Sequence, residues 1–237
     1  MSTPKDVEAE VRGNKLIAPE VRELHIAAPV EDWQAGQFCT LMFRAGGETH
    51  RKPYSIASAP WEKTLTLCVK EVPGGTSSHL KDLEEGSKTR VMGPLGKFTL
   101  KQDADRLLLI GTGTGIAPLR AMIRDLFRKH YTGEGADTEK DVTLLQGATD
   151  KDALLYHDEF ERLAEEAENF KYRTTLSRAT DEKSWRGYVH QHLDEAMDDK
   201  ESTEAYVCGV TAMVDDTKKA LNEKGVPQER IHTERYG

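Results

Sequence analysis

Before about residue 102 the chain reads as short runs of alternating apolar and polar positions: VEAEVRGNKLIA, VRELHIAA, FCTLMF, TLTLCVK and RVMG, separated by Gly, Pro and Asn turns. A period of two turns one face of each run to a core and the other to water, so a series of such runs predicts an antiparallel barrel or sandwich. One helix interrupts the series, where Ser77 and Ser78 precede His79, Leu80 and Leu83 and Gly86 supplies the stop. From Arg106 onward the period changes. The runs LLLIG, DVTLLQGA, KYRTTLS and EAYVCG read as buried strands, and residues 116–129, 158–168 and 210–221 between and after them carry apolar positions at helical spacing. In 210–221 these are Val210, Met213, Val214 and Leu221. Strands alternating with helices predict a parallel sheet with crossover helices. The polar stretch KQDADR separates the two patterns, so the expectation is a β domain over 1–101 followed by an α/β domain over 102–237.

Composition narrows the function classes. The 237 residues hold 33 Lys and Arg against 41 Asp and Glu, a net charge of -8 that works against a sequence-independent hold on nucleic-acid phosphates. The longest apolar run, at 107–110, is far short of the roughly 20 residues a bilayer crossing needs. The start, MSTPKDVEAE, contains no apolar signal segment, and a cytoplasmic location is expected. Three scattered cysteines, Cys39, Cys68 and Cys208, offer neither a disulfide framework nor the four thiolates of an iron–sulfur cluster. His190 and His192 are two apart, on different faces of a helix, and no HExxH pattern occurs, so no metal site is expected.

The strongest local signal is the loop after the first buried strand. Gly111, Thr112, Gly113, Thr114, Gly115 and, three residues on, Pro118 connect that strand to a helix. Small residues there let a phosphate approach backbone N–H groups and the positive helix end. The loop is not the ordinary GxGxxG fingerprint, because Ile116 or Pro118 stands where the last glycine is needed, and it is not a Walker loop, because no Gly-Lys-Ser/Thr follows. A glycine-rich strand-to-helix turn with Pro118 in the first helical turn is the bland alternative.

With several other segments in order, this loop resembles that of the ferredoxin–NADP reductase superfamily. Gly36-Gln37-Phe38 resembles its early barrel strand, Lys52-Pro53-Tyr54-Ser55 its flavin motif Arg-x-Tyr-Ser, Gly74, Gly75, Thr76, Ser77 and Ser78 its flavin-pyrophosphate turn, and Gly93-Pro94-Leu95-Gly96-Lys97-Phe98 its interdomain turn. Cys208-Gly209 and Glu234-Arg235-Tyr236 complete the set. The resemblance implies an FAD-binding antiparallel β-barrel domain followed by a parallel-sheet NAD(P)-binding α/β domain, in single-chain form without an iron–sulfur domain. FAD is the expected flavin, with FMN the alternative.

Site roles follow from the resemblance. Tyr54 is expected against the flavin ring and Ser55 near its hydride-accepting nitrogen; as residues alone, Tyr54 and Ile56 also read as the inward face of a strand. Val69 and Lys70, which precede the pyrophosphate turn, belong to the same flavin site. Lys52 stands where the family has arginine and Arg51 lies one position earlier, so either supplies the phosphate cation, Arg51 only if the backbone bulges. Ser77 reads equally as a helix cap.

On the nucleotide side, Cys208 and Gly209 are expected near the nicotinamide, with Cys208 positioning rather than attacking; a buried, inert thiol is the alternative. Val210-Thr211 replaces the diproline frequent in relatives, and Met213 keeps its place. Ser177 and Arg178, with Arg186 and Tyr188, match the pocket for the adenosine 2′-phosphate, which favours NADPH over NADH, while Asp181 and Glu182 could act the other way. Tyr236 resembles the family's flavin-covering aromatic, here followed by Gly237, and Glu234 is a candidate for proton exchange or nicotinamide positioning.

The implied activity is a flavin-dependent NAD(P)H oxidoreductase passing hydride from NADPH to bound FAD and then single electrons to a ferredoxin or flavodoxin-like carrier. A free-flavin, quinone or oxygenase-linked reductase of the same superfamily stays open, as does a non-catalytic flavin-binding electron-relay subunit. Arg120, Arg124 and Arg128, four apart, form either a cationic stripe for an acidic carrier or a solvated helix face.

Overall fold

The computed structural model describes residues 3–101, 104–178, 184–197 and 202–236; Gln102 at the expected boundary, Asp181, Glu182 and Gly237 lie outside them. The chain divides into two compact units, Met1–Leu100 with Arg120–Leu126, and Lys101–Leu119 with Phe127–Gly237.

The first unit is an antiparallel sheet of β1 (Lys5–Ala18), β2 (Val21–Ala27), β3 (Phe38–Ala45), β4 (Glu48–Ser55), β5 (Leu65–Lys70) and β6 (Lys88–Leu95), in the order β4-β3-β6-β1-β2-β5. Alternation does the folding: Val11, Leu24, Ile26, Leu41, Phe43, Leu65, Leu67 and Val91 meet in one core from which water is excluded. The sheet curls until its edge strands touch, and the bridge Ile56↔Leu67 joins the end of β4 to β5. No ladder links the rest of β4 to β5 among the described residues, so β4 has one unpaired edge. Gly36 and Gln37 set the entry to β3. Gly36 has φ 98° and lies against the Phe98 carbonyl, where a Cβ has no room. Gln37 accepts from Gln34 N at 2.8 Å and donates to Gly96 O at 3.1 Å.

In the second unit the strands are β7 (Arg106–Thr112), β8 (Asp141–Ala148), β9 (Phe170–Leu176), β10 (Trp185–Arg186), β11 (Thr203–Val210) and β12 (Ile231–Tyr236), all parallel in the order β10-β9-β8-β7-β11-β12. The helices are α1 (Ile116–Leu126), whose residues from Arg120 on belong to the first unit, α2 (Arg128–Thr132), α3 (His157–Glu166), α4 (Leu193–Ala196) and α5 (Thr211–Glu223). Leu108, Ile110, Leu145, Val207, Val214 and Leu221 share one of its cores. The order runs from β7 to β8 on one side and to β11 on the other, so the carboxyl end of β7 is the switch point where open α/β sheets take ligands.

Three expectations need correction, and the chain end adds a strand. The helix after β5 is a 3₁₀ turn, Thr76–Asp82. Residues 116–129 are two helices, because Phe127, buried and edge-on to Phe170 at 5.5 Å, leaves helical geometry at φ -109° and ψ 40°. Val210 ends β11 rather than opening a helical face, and it is 57% exposed. The chain end, where fraying is the usual fate, is strand β12, held through its backbone by β11 although only Ile231 of its residues is buried.

Candidate functional site

β4 carries the flavin motif. Its pairing with β3 runs without a shift from Glu48 to Ser55, so side chains alternate strictly. Tyr54, Lys52 and His50 lie opposite Cys39, Leu41 and Phe43 on the core side, while Arg51, Pro53 and Ser55 take the other face. With no bulge, Arg51 does not reach the Lys52 position. Tyr54 packs against the core, and burial pushes its phenol up to about 12. Ser55 is buried, and Arg51 and Lys52 are both exposed. Beside β4, Val69 is buried and Lys70 exposed at the end of β5, in register with Arg22 and Val21.

The glycine turn after β5 closes on itself. Gly75 N donates to Val72 O at 2.8 Å across Pro73 and Gly74, and Gly74 sits at φ 72°, as a turn with Pro then Gly requires. Ser77 does not cap the 3₁₀ turn: its Oγ accepts from Val72 N at 2.9 Å, and Ser78 Oγ donates to Gly75 O at 2.7 Å. Thr76 opens the turn. Two residues that motif reading missed stand here, for the His50 ring stacks with that of His79 at 6.0 Å and 13°. The available signal was the spacing of two from Lys52 to His50 on a strand.

At the switch point, Thr112 ends β7 and Gly113, Thr114 and Gly115 form a 3₁₀ turn into α1. Gly113 has φ 52° with open space beside it. Gly115 is packed against backbone: a Cβ there would lie 2.5 Å from the Cys208 carbonyl carbon and 2.7 Å from Gly209 Cα. Gly209, at φ 155°, is pressed the same way against Thr112 Oγ1 and Met213 Cε, each 2.5 Å from its notional Cβ, and Gly111 against Leu119. Pro118 is buried in the first turn of α1, where its missing N–H costs nothing. The Thr112 hydroxyl is buried with no hydrogen-bond partner among the described residues. A pyridine nucleotide fits this arrangement, since an open glycine edge admits its phosphates and a dry hydroxyl lacks a partner that its amide or ribose supplies.

Parallel pairing of β11 with β12 sets Cys208 beside Glu234 and Val210 beside Tyr236. Burial, and then the Glu234 carboxylate, push the Cys208 thiol well above the ordinary range, with a Tyr236 hydrogen bond pulling the other way. Cys208 therefore stays a buried, neutral thiol at physiological pH, which disfavours nucleophilic attack.

Ser177 N and Arg178 N donate to Ala148 O and Thr149 O at 3.0 and 2.9 Å just past β9. β10 pairs Arg186 with Leu176, which brings the exposed Arg186 to the same strand end. Tyr188 is 60% exposed and stacks on His190 at 5.9 Å, while His192 stacks on Trp185 at 5.0 Å. The arginine stripe is not an open surface. Arg120 donates to Ala57 O at 3.0 Å, and Arg124 grips Glu62 through two bonds of 2.9 and 3.2 Å while lying over the Trp61 ring. Only Arg128 of the three is exposed. Among the described residues no three His, Cys, Asp or Glu side chains converge as for a metal ion, and no helix is long and apolar enough to cross a membrane.

Comparison with known proteins agrees with both halves. Residues 8–100 match the oxidoreductase FAD-binding domain family and residues 109–219 the oxidoreductase NAD-binding domain family. The chain is 34% identical to ferredoxin–NADP reductase B of Sorangium cellulosum, over 97% of each. A component of the Na(+)-translocating NADH-quinone reductase of Neisseria gonorrhoeae is 28% identical over 87% of this chain, which spans only 54% of that component. Among solved structures, the Amycolatopsis cytochrome P450 reductase superposes with a TM-score of 0.86 at 29% identity, covering 98% of this chain and 70% of that one. The chain belongs to the ferredoxin–NADP reductase family of FAD- and pyridine-nucleotide-binding oxidoreductases.

Proposed function

We propose that this chain is a flavin-dependent reductase that takes hydride from NADPH in preference to NADH and delivers single electrons to a ferredoxin or flavodoxin-like carrier protein, with a cytoplasmic location. The observation that carries the reading is the meeting of the glycine loop with Cys208, Glu234 and Tyr236 at the carboxyl ends of β7 and β11. The name of the Sorangium relative supports the choice of NADPH and of a ferredoxin-like acceptor. Residues 1–101 hold FAD and residues 102–237 the nucleotide.

FAD, when bound, supplies the conversion of a two-electron donor into one-electron steps. The chain supplies placement. Tyr54 would present an aromatic face to the flavin ring, Ser55, at the end of β4 and on its other face, would donate to the reactive nitrogen from the strand end, and Lys52, with the backbone N–H groups of Gly74, Thr76 and Ser77, would offset the phosphate charge. Val69 and Lys70 border the same site. Thr112, Gly113 and Thr114 receive the nicotinamide nucleotide, Cys208 fixes the ring's position as a neutral thiol, and Glu234 orients its amide. Ser177, Arg178 and Arg186 bind the 2′-phosphate beside the exposed Tyr188 ring. An oxygenase-linked acceptor is the second reading, favoured by likeness to the Amycolatopsis P450 reductase.

The test is an absorption spectrum of the purified chain, then anaerobic addition of NADPH or NADH, then oxidation by ferredoxin, free flavin or an oxygenase. Yellow protein bleached faster by NADPH and reoxidised fastest by ferredoxin is expected. Colourless protein that takes up no FAD refutes the reading, and faster bleaching by NADH refutes the choice of donor.

A further inference from the structure

We propose that the stacked imidazoles of His50 and His79 are the platform for the adenine end of FAD, a role that rests on the flavin reading above. Tyr54, Lys52 and His50 are successive rungs on one face of β4, opposite Cys39, Leu41 and Phe43. At about 3.4 Å per residue the three span roughly 14 Å in a line. That line starts where β4 is bridged to β5 and continues along the part of β4 that pairs only with β3. With Tyr54 assigned to the flavin ring and Lys52 to the phosphates, the next rung falls where adenosine continues the ligand.

The residue on that rung is a fixed aromatic ring. His50 lies 5.5 Å from the Phe43 ring, and its Nε2 is 3.1 Å from the Ala45 carbonyl, so Nε2 carries a proton and donates it. His79 comes from the 3₁₀ turn that follows the Gly74 turn and lies over His50, centroids 6.0 Å apart and planes 13° apart. His50 is half-buried and backs the pair, while His79 is exposed. An aromatic, a cation and then a half-buried imidazole faced by the exposed His79 ring match a ligand that is itself ring, phosphate, ring. FMN ends at its phosphate and makes no use of the third rung. The pair therefore selects FAD over FMN.

The experiment titrates the full-length apoprotein with FAD and with FMN, following the quenching of flavin fluorescence. Wild type is expected to bind FAD more tightly than FMN. His79→Ala is expected to lose about tenfold in FAD affinity, as removal of one base-stacking aromatic does, with FMN affinity unchanged; His79→Phe is expected to keep wild-type FAD affinity. An unchanged FAD Kd in His79→Ala, an equal loss for FMN, or a Phe variant as weak as the Ala variant overturns the platform. Wild type that binds neither flavin overturns the flavin reading itself.

Discussion

Gly115→Ala probes the backbone-to-backbone approach on which the nucleotide site is built. The added methyl would lie 2.5 Å from the Cys208 carbonyl carbon, 2.7 Å from Gly209 Cα and closer still to the Cys208 carbonyl oxygen. Non-bonded carbons rest about 3.5–4.0 Å apart, so β11 or the loop must give by about 1 Å. None of the obstructing atoms is the end of a flexible side chain. Overpacking of this kind costs about 1–3 kcal/mol, which for a chain of this size lowers the melting temperature by roughly 3–10 °C. The displacement falls on Cys208 and Gly209, so the KM for NADPH is expected to rise at least tenfold while FAD affinity stays put. Thermal unfolding, flavin fluorescence titration and steady-state kinetics read the three quantities. A variant with wild-type melting temperature and wild-type KM would refute the argument, because the loop would then have slack that the geometry denies.

Alkaline pH should loosen the barrel. Cys39 is wholly buried and its thiol is pushed up to about 12, so the unfolded chain loses this proton first; the stability is whole below about pH 9 and is lost as pH climbs toward 12. Urea midpoints that do not move between about pH 7 and about pH 10, or that fall equally in Cys39→Ala, would contradict this. Lys52→Ala should weaken FAD binding several-fold and Arg51→Ala much less, since only Lys52 shares the Tyr54 face; equal losses in a fluorescence titration would count against the assignment. Arg124→Ala should destabilise by about 1–3 kcal/mol in urea, because it strips a bidentate, mostly buried partner from Glu62. No change there would mean the pair is solvent-screened.

Much of the architecture is legible along the chain because burial imposes periodicity. The run DVTLLQGA is β8 to the residue, and the alternating runs before residue 102 are β1, β2, β3, β5 and β6 within a few positions. Helix ends are less legible. Phe127 is an ordinary helical residue by spacing, yet the backbone leaves the helix at this residue, whose buried ring packs edge-on against Phe170 far along the chain. β12 leaves little trace in the pattern because an edge strand held by backbone hydrogen bonds needs few apolar side chains. Helical spacing does put Arg120, Arg124 and Arg128 in a stripe, but whether a charge meets water or a carboxylate depends on a loop, 57–62, that no local pattern ties to it.

The candidate site divides along the same line. Small residues at 111–115, the Tyr54-Ser55 pair and Cys208-Gly209 are chemical identities, and the chain alone determines them along with the order of the two domains. Which of those groups meet is a matter of register and strand order. Burial of β11, with parallel pairing that sets Glu234 beside Cys208, keeps that thiol neutral against the pull of the Tyr236 hydrogen bond; an unbroken β3–β4 ladder puts Lys52, not Arg51, on the Tyr54 face; and packing of the 3₁₀ turn brings His79 to His50. The physical reason is that local spacing sets where a side chain points, whereas its neighbour is set by hydrogen bonds and packing between segments distant in sequence.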